Sequence, residues 1–300
     1  MPQAIAELTE HHALAGLTFE QGRGGQTVCR VRTEHAEADV YLHGAHVTRF
    51  KPHQPIGGDD VLFLSDEAIF DGKTAIRGGI PICFPWFGGN GPMDDSPSHG
   101  FARTRSWSLA KTERLGDAVV LTFVLVSTEA TRELWDHDFV FTYTVRVGRT
   151  LKVTANVTNV GDNQFRYELA LHTYLSVADV RNVTLSGFDG ASYVDQLQGN
   201  AAMTQSGEPT IDAEVDRIYQ NHTSNVVVHD GGRTLTIAKT GGDSTVLWNP
   251  HVAKAKRMSD FGDDEWPGML CVESAAIGKN NVTLAAGKSH ALTVELSATS

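Results

Sequence analysis

The segment at residues 77–107 holds the side chains best suited to binding an anion, and it is rich in glycine and proline. Arg77, Arg103 and Arg105 each carry a planar guanidinium, whose forked donors suit two-point recognition of a phosphate group. The glycines at 78 and 79 let the backbone approach a ligand closely and present N–H groups to it. The segment therefore predicts an anion-binding loop, although the same arginines could instead pair with carboxylates elsewhere in the fold.

Two groups that can exchange protons lie in apolar stretches. His172 belongs to YELALHTYLSV, where strand alternation places it on the same face as Tyr174. Glu273 follows three apolar residues, and a carboxylate in such a run must be paired, hydrogen-bonded or functional. Each also has a structural interpretation, as a core histidine and as a strand-end glutamate facing water. Asp216 beside Arg217, taken alone, indicates a surface ion pair or a turn.

The sequence gives little support to a metal site. Among its 13 histidines, His43 and His46 come nearest to a cluster. Residues three apart on one strand point to opposite faces, so these two are poor joint ligands unless a turn intervenes. No HExxH motif, CxxC pair or GxSxG nucleophile elbow occurs in the sequence. We therefore expect no metal ion in the site.

The charge of the chain restricts its partners. The formal net charge is −11 at pH 7, which disfavours binding to nucleic acid or to an anionic membrane surface. Neither a P-loop nor a GxGxxG motif is present, so nucleotide binding has little support. We expect a small-molecule partner, with no nucleic acid and no membrane, and an anionic ligand would need positive charge gathered locally.

Alternating apolar and polar residues predict antiparallel strands. Apolar side chains fall on odd positions over 141–147 and again over 151–157, which predicts a hairpin joined at Gly148 and Arg149. Further hairpins are predicted in VVVHDGGRTLTIAK and in NVTLAAGKSHALTVELSA. Additional strand candidates are TVCRVRT, ADVYLHGAHVTRF, VLFLS, AVVLTFVLV and FRYELALHTYLSV, whereas STEATRELW suits one or two turns of helix. The pattern predicts an all-β sandwich or barrel, mainly antiparallel.

Nothing in the sequence divides the chain, so we expect one domain over residues 1–300. The cysteines Cys29, Cys83 and Cys271 are odd in number and far apart, which argues against a disulfide framework. The first residues lack the basic and apolar regions of a signal peptide, and no apolar run approaches the roughly 20 residues of a membrane span. We expect a cytoplasmic protein, and a monomer because no apolar association helix is evident.

Taken together, these segments resemble the D-hexose-6-phosphate mutarotases, the glucose-6-phosphate 1-epimerases of the aldose-1-epimerase superfamily. The matching segments, between residues 75 and 277, are AIRGGIPICFPWFG, HGFARTRSW, ELALHTYLSV, DRIY, VLWNP and CVESAAI. The pattern RGGIPxxFPxFG followed by HGFAR is specific, whereas each later segment alone is not. The resemblance implies an isomerase with a galactose-mutarotase-like β-supersandwich, which agrees with the strand pattern.

The resemblance also implies roles for individual residues. His172 corresponds to the family's catalytic histidine, and Glu273 corresponds to its catalytic glutamate. Positions that contact the sugar correspond to His99 and Asp216, and positions that bind the substrate phosphate correspond to Arg77 and Arg103. Weaker matches, to which no role is assigned, are Arg105, Asn249 and Asp260.

The implied reaction opens and recloses the sugar ring. Glu273, as a carboxylate, would remove the proton of the C1 hydroxyl, and His172, as an imidazolium, would protonate the ring oxygen. Reference pKa values of about 4.3 and 6.5 bracket a pH window in which both charges are correct. Asp216 would widen this window by raising the pKa of His172. Because anomers already interconvert slowly in water, the reaction requires no metal or organic cofactor.

Two other functions stay open on the residues alone. A mutarotase of non-phosphorylated aldoses would use the same acid and base, but would leave the guanidiniums of Arg77 and Arg103 without an anionic partner. A non-catalytic carbohydrate-binding or sensor protein would need cleft contacts, but no paired His172 and Glu273. The deciding observation is whether that pair meets in one cleft with both arginines at one end.

Overall fold

The structure is a computed structural model, and it describes residues 3–53 and 60–300 of the chain. Its strands are β1 (Leu17–Gln21), β2 (Thr27–Arg32), β3 (Ala36–Tyr41), β4 (His46–Pro52), β5 (Ile82–Cys83), β6 (Ser108–Leu115), β7 (Ala118–Val126), β8 (Phe139–Val147), β9 (Leu151–Asn159), β10 (Phe165–Tyr167), β11 (Leu169–Leu171), β12 (Tyr174–Ser176), β13 (Thr184–Ser186), β14 (Ser192–Asp195), β15 (Ala201–Thr204), β16 (Val215–Gln220), β17 (Val226–Asp230), β18 (Arg233–Thr240), β19 (Ser244–Asn249), β20 (Met269–Ala276), β21 (Val282–Leu284) and β22 (Ser289–Thr299). The α-helices are short: α1 (Ile5–His12), α2 (Glu129–Arg132) and α3 (His251–Ala255).

Antiparallel pairing organises these strands into two large sheets and two small ones. The first large sheet has the order β13-β17-β18-β22-β9-β8-β7-β6. The second has the order β15-β14-β16-β19-β20-β11-β5, with β12 also paired to β20. Strands β1 to β4 form a four-stranded sheet, and β10 pairs with β21. The predicted fold class, all-β and mainly antiparallel, is confirmed.

The two large sheets differ in how their strands are buried. Along β8 and β9, buried positions alternate with more exposed ones, as expected where one face of a sheet packs on the core and the other meets solvent. Every residue of β19 and β20 is buried instead, so both faces of the second sheet are covered there. The first hairpin (β8-β9), the second (β17-β18) and the short helix in STEATRELW are confirmed.

The third predicted hairpin, in NVTLAAGKSHALTVELSA, is wrong. Strand β21 pairs with β10, whereas β22 is bonded on one edge to β9 and on the other to β18. A strand has only two edges for hydrogen bonding, so β22 has no edge left for β21. The alternation in this segment identified the long strand correctly, but it carried no information on which partners the strand would choose.

Three predicted strands differ from the structure. The segment ADVYLHGAHVTRF divides into β3 and β4, because Gly44 and Ala45 adopt the left-handed region at φ +72° and +45°. The segment FRYELALHTYLSV divides into β10, β11 and β12, with His172 and Thr173 in the second break. The segment VLFLS makes only isolated bridges, at Leu62 and Leu64.

One hydrophobic cluster extends through most of the fold. It contains buried side chains from Leu8 in α1 to Leu296 in β22, and it includes both large sheets. Strand β20 of the second sheet contacts β22 of the first, so the two large sheets pack against each other there. Within the described residues, no helix is long and apolar enough to cross a membrane. The single domain stays a prediction.

Candidate active site

Strand register brings His172 and Glu273 together. Leu171 pairs with Ser274 and Tyr174 pairs with Cys271, so the break between β11 and β12 leaves His172 opposite Glu273 of β20. Side chains directly opposite on antiparallel strands lie within contact distance. The Nε2 atom of His172 is 3.3 Å from Oε1 of Glu273. The two residues that the sequence analysis singled out as proton carriers therefore form one pair.

The pair is removed from water. The His172 side chain is 8% exposed and that of Glu273 is 1% exposed. Burial disfavours the charged form of each group, so the pKa of His172 is lowered well below 6.5 and the pKa of Glu273 is raised well above 4.5. The charges of Arg103 and Arg77, and that of His99 where its ring is protonated, lower the pKa of His172 further.

The predicted protonation of this pair therefore needs correction. We expected a carboxylate and an imidazolium, with Asp216 raising the pKa of the histidine. The nearby charge of Asp216 instead raises the pKa of Glu273, and Arg103 lowers it. Burial favours a protonated Glu273 beside a neutral His172. This form holds the same single proton as the charged pair, so one proton transfer across 3.3 Å interconverts the two.

His99 stands next to this pair on a tightly folded loop. Its ring centroid is 5.7 Å from that of His172, and its other neighbour is Phe87 at 4.7 Å. The backbone N–H of Gly88 donates to His99 Nδ1 at 3.3 Å, and the N–H of His99 donates to the Gly88 carbonyl at 2.7 Å. Burial lowers the pKa of His99 to about 3, so the ring is neutral; because Nδ1 accepts from Gly88, the N–H on Nε2 is the donor left for a polar contact.

The close packing of this loop predicts a strong position dependence for glycine replacement. Gly88 and Gly100 share a left-handed backbone, at φ +61° and +72°. A Cβ on Gly100 would lie 2.0 Å from the Phe84 carbonyl oxygen, whereas one on Gly88 meets no described atom within 4 Å. We expect Gly88→Ala to lower the free energy of unfolding by about 1–2 kcal/mol, the cost of the left-handed conformation. Gly100→Ala should cost about 3 kcal/mol or more, because the backbone must also shift.

Urea unfolding followed by tryptophan fluorescence measures both losses. The two variants carry the same chemical change at nearly the same φ, so each serves as the control for the other. Equal losses of unfolding free energy would contradict the packing of Gly100 against Phe84.

Arg77 lies near the pair but already has partners. Its Nε and Nη2 atoms lie 3.1 Å and 3.0 Å from Oδ2 of Asp260, and its Nη1 donates to the Tyr174 hydroxyl at 3.0 Å. These bonds use three of the five N–H donors of the guanidinium. The argument that a neutral sugar would leave Arg77 unpaired is therefore wrong, because Asp260 compensates its charge.

Of the two glycines beside Arg77, Gly79 differs from the prediction that it presents its N–H group to a ligand. The N–H of Gly79 donates to the Phe63 carbonyl at 2.7 Å, and the Gly78 carbonyl accepts from His46 at 2.7 Å. A Cβ on Gly79 would lie 2.2 Å from the Val47 carbonyl oxygen. These glycines permit close approach of the chain to itself, which holds Arg77 in place.

Arg103 is the cation of the site without an acidic partner among the described residues. It lies in the single-turn 3-10 helix Ala102–Thr104, and its Nη2 donates to the Ser98 carbonyl at 2.8 Å. Its Nε is buried and makes no hydrogen bond within the described chain. The charge of Arg103 lowers the pKa of both His172 and Glu273. An unpaired guanidinium with free donors beside a proton-carrying pair is suited to binding an anionic ligand.

Asp216 is more buried than a surface ion pair would be. Its Oδ1 accepts from Gln196 at 2.5 Å, and its Oδ2 is 3.6 Å from the Lys254 ammonium. Its sequence neighbour Arg217 pairs with Asp195 instead, at 3.7 Å. Burial raises the pKa of Asp216, and Lys254 opposes that shift. This arrangement keeps an acceptor beside a cation, close enough to Glu273 to affect its pKa.

The three weaker candidates, Asn249, Asp260 and Arg105, differ in their surroundings. Asn249 is fully buried and donates to the carbonyls of Trp266 and Met269 at 2.9 Å and 2.8 Å, so it supports the backbone. Asp260 joins the site through Arg77. Arg105 accepts from Gly44 through its carbonyl at 2.7 Å, and its Nε is buried with no partner in the described chain.

His43 lies in the turn between β3 and β4, and His46 begins β4; these are the two histidines considered as metal ligands. His43 Nε2 lies 2.8 Å from the Thr74 carbonyl, and His46 Nε2 lies 2.7 Å from that of Gly78. The Nε2 atom of each ring is thus used in a separate backbone contact. Across residues 3–53 and 60–300, no group of three or more potential metal-ligating side chains occurs.

The sequence analysis missed several residues of the site. Trp248 of β19 packs edge-on against His172 at 6.0 Å, and Lys254 of α3 lies over the Trp248 ring at 5.5 Å. Tyr174 stacks on His172 with ring centroids 4.7 Å apart and planes 10° apart. Its position two residues after His172 was the available signal. Lys254 gave none, because the pattern predicted no helix after β19, where α3 begins.

Comparisons with known proteins agree on the family. The sequence profile of the family Aldose 1-epimerase matches residues 27–297. A candidate glucose-6-phosphate 1-epimerase from Cenchrus ciliaris is 35% identical, and the match covers 99% of this chain and 89% of that protein. A crystal structure of a candidate mutarotase from Salmonella typhimurium superposes with a TM-score of 0.88 at 31% identity, covering 96% of this chain and 95% of the other.

A more distant structure bears on the fold alone. A galactose mutarotase-like protein from Clostridium acetobutylicum has a TM-score of 0.74 at 16% identity, and the match covers 94% of this chain and 98% of that one. The profile spans most of the chain, and the two relatives above exceed 30% identity over nearly all of it. The chain therefore belongs to the aldose 1-epimerase family, and it is an isomerase of the epimerase and mutarotase class.

Proposed function

We propose that the protein interconverts the α and β anomers of a hexose 6-phosphate, with glucose 6-phosphate as the expected sugar. The observation that carries this proposal is the buried His172–Glu273 pair, 3.3 Å apart, with the unpaired Arg103 acting on both pKa values. The relative from Cenchrus ciliaris is named for the same reaction, which supports the choice of a phosphorylated sugar.

The pair supplies one base and one acid for ring opening. Once the proton of Glu273 has passed to His172, Glu273 takes the proton of the C1 hydroxyl while His172 gives its proton to the ring oxygen, and the C1–O5 bond breaks to leave an aldehyde at C1. The aldehyde turns about C1–C2, and the C5 hydroxyl attacks its other face with both protons returned. The open-chain stage leaves Glu273 protonated and His172 neutral, which is the form that burial favours. A positioned acid or base typically contributes 10²–10⁴-fold to the rate.

The phosphate is held by Arg103 and Arg77 in this proposal. Arg103 contributes an uncompensated charge, and Arg77 contributes the donors not used by Asp260 and Tyr174. His99 and Asp216 contact the sugar hydroxyls, the first as a neutral ring and the second as an acceptor beside Lys254. Fixing the phosphate holds C1 in register with the pair, which reduces the entropic part of the barrier.

Relaxation of optical rotation after dissolving pure α-anomers tests the substrate class. Glucose 6-phosphate, glucose and galactose are compared at equal low concentration with wild-type protein. We expect acceleration to be greatest for the phosphorylated sugar. Faster relaxation of the free sugars would keep the chemistry and overturn the phosphate contacts. Binding of sugar without any acceleration would assign the protein to the carbohydrate-binding or sensor class.

The pKa directions predict the pH dependence of kcat. The reactive pair carries one proton in all. Activity is therefore lost at low pH, where the pair gains a second proton at His172, and at high pH, where the pair loses its one proton from Glu273. Because the pKa of His172 is lowered, the acid limb lies below pH 6.5; because the pKa of Glu273 is raised, the alkaline limb lies well above pH 4.5. We expect a plateau that extends beyond both reference pKa values, with limbs belonging to the pair rather than to either residue.

The profile is measured at saturating glucose 6-phosphate and repeated with free glucose, which lacks the phosphate ionisation near pH 6. A maximum confined between pH 4.3 and 6.5 would contradict the neutral pair and favour the charged pair predicted from reference pKa values.

We also propose that the protein works as a cytoplasmic monomer. All three cysteines are free and buried, and burial raises the pKa of the Cys29 thiol to about 12, which keeps it unreactive. Such thiols suit a reducing compartment. Sedimentation of the purified protein measures its mass in solution. The mass of a dimer would contradict the proposed monomer.

A further inference from the structure

The imidazole of His172 is held in an unusual way. Its Nε2 faces Glu273 at 3.3 Å, while its Nδ1 is buried and has no hydrogen-bond partner among the described residues. A histidine that transfers protons is commonly oriented by a hydrogen bond to its second nitrogen. Here the ring plane has to be fixed by packing, and the closest parallel surface is the ring of Tyr174, with centroids 4.7 Å apart and planes 10° apart.

Tyr174 is itself held through its hydroxyl. The ring is 1% exposed, and its hydroxyl accepts a hydrogen bond from Arg77 Nη1 at 3.0 Å. His99 and Trp248 contact the His172 ring only edge-on, at 5.7 Å and 6.0 Å. The Arg77–Tyr174 hydrogen bond is therefore the polar contact that fixes the position of the Tyr174 ring, on which the imidazole stacks.

Asp260 fixes Arg77 from the other side. Two guanidinium nitrogens lie within 3.1 Å of the same carboxylate oxygen. The loop that carries Asp260 is anchored by Glu265, which accepts from the Ser65 hydroxyl at 2.6 Å and from the Asp66 N–H at 2.8 Å. The contacts thus form a continuous series from Asp260 through Arg77 and Tyr174 to His172.

We propose that Tyr174 is a positioning residue for His172, set by the Arg77–Asp260 ion pair, so that one arginine serves both the ligand anion and the orientation of the imidazole. This inference rests on the proposed function and adds two residues to it. It also separates the two arginines: Arg103 acts mainly through its charge on the ligand, whereas Arg77 acts through its charge and through Tyr174.

The first test is Tyr174→Phe, which keeps the stacked ring and removes the hydroxyl that Arg77 holds. We expect kcat to fall about tenfold for both glucose 6-phosphate and glucose, with KM changed less than twofold, because misorientation of a proton-transfer group affects the reaction step. Tyr219→Phe is the matched control, since it removes a buried hydroxyl that bonds Gln205 at 2.8 Å, and it should leave kcat unchanged. Thermal midpoints of both variants check that each is folded.

The second test is Asp260→Asn, with inorganic phosphate as a competitive inhibitor. Loss of the carboxylate charge leaves the charge of Arg77 uncompensated, so the inhibition constant of phosphate should fall several-fold. Arg77 is also held less firmly, so kcat should fall as well. A residue with only a structural role would not tighten phosphate binding. An unchanged kcat in Tyr174→Phe, or weaker phosphate binding in Asp260→Asn, would overturn the inference while wild-type activity stands. No anomer exchange by the wild type would overturn the proposed function and this inference with it.

Discussion

Glu273→Gln should lower kcat for anomer exchange of glucose 6-phosphate by about 10²–10⁴-fold, the contribution typical of a general acid or base. Gln keeps the size of the side chain and its place opposite His172, but it cannot accept a proton. Glu273 is 1% exposed and lies 3.3 Å from His172, so its carboxylate is the group in direct contact with the imidazole. The measurement is the relaxation of optical rotation of freshly dissolved α-glucose 6-phosphate at saturating concentration.

The same variant should not lose stability. Because the folded-state pKa of Glu273 is raised above 4.5, its burial costs stability as the pH rises through that pKa, and a neutral amide removes this cost. We expect an equal or higher thermal midpoint at pH 7. Glu208→Gln is the matched control, since Glu208 accepts from two backbone N–H groups away from the pair. A Glu273→Gln variant with more than a tenth of wild-type kcat would contradict the assignment of the base.

Arg103→Ala should lower kcat/KM for glucose 6-phosphate by about 10²–10³-fold, since removing one partner of a buried charge contact costs about 2–5 kcal/mol. Most of the loss should appear in KM. The kcat/KM for free glucose should change less than threefold, because a neutral sugar makes no ionic contact with Arg103. Comparison of the two sugars in the same variant isolates the phosphate contact from any general disturbance.

The pH profile gives a second readout for Arg103. Its charge lowers the pKa of both His172 and Glu273, so its removal should move both limbs to higher pH. Arg30→Ala is the control: Arg30 is partly exposed and ion-paired with Glu20 and Asp39 in the four-stranded sheet. Equal losses for glucose and glucose 6-phosphate in Arg103→Ala would contradict a phosphate contact.

Local patterns predicted the strands and the partners joined by tight turns, but not the pairing of strands distant in sequence. Alternation located β8, β9, β17 and β18 because tight turns join them and one face of each pair is buried. The pairing of β22 with β9 and β18 depends on contacts far apart in sequence, which a period of two does not encode. The same limit hid the register that sets His172 opposite Glu273.

The candidate site was partly accessible from sequence. The apolar run before Glu273 signalled an unusual environment for that carboxylate, and the structure gives Glu273 His172 as a partner. The Arg77–Asp260 pair was not accessible, because it joins two irregular segments whose paths depend on the glycines near Arg77 and on the Glu265 contacts. Protonation was also out of reach, since reference pKa values omit the burial that reverses the favoured charges.

The most direct test of the central claim is two-dimensional exchange NMR of glucose 6-phosphate in D₂O with the wild-type protein. We predict cross-peaks between the α and β anomeric protons that grow with protein concentration, because the C1–O5 bond opens and recloses. The C1 hydrogen should be fully retained, because protons move only at oxygen. Cross-peaks no stronger than in buffer, or loss of the C1 signal to deuterium, would contradict ring opening by the His172–Glu273 pair.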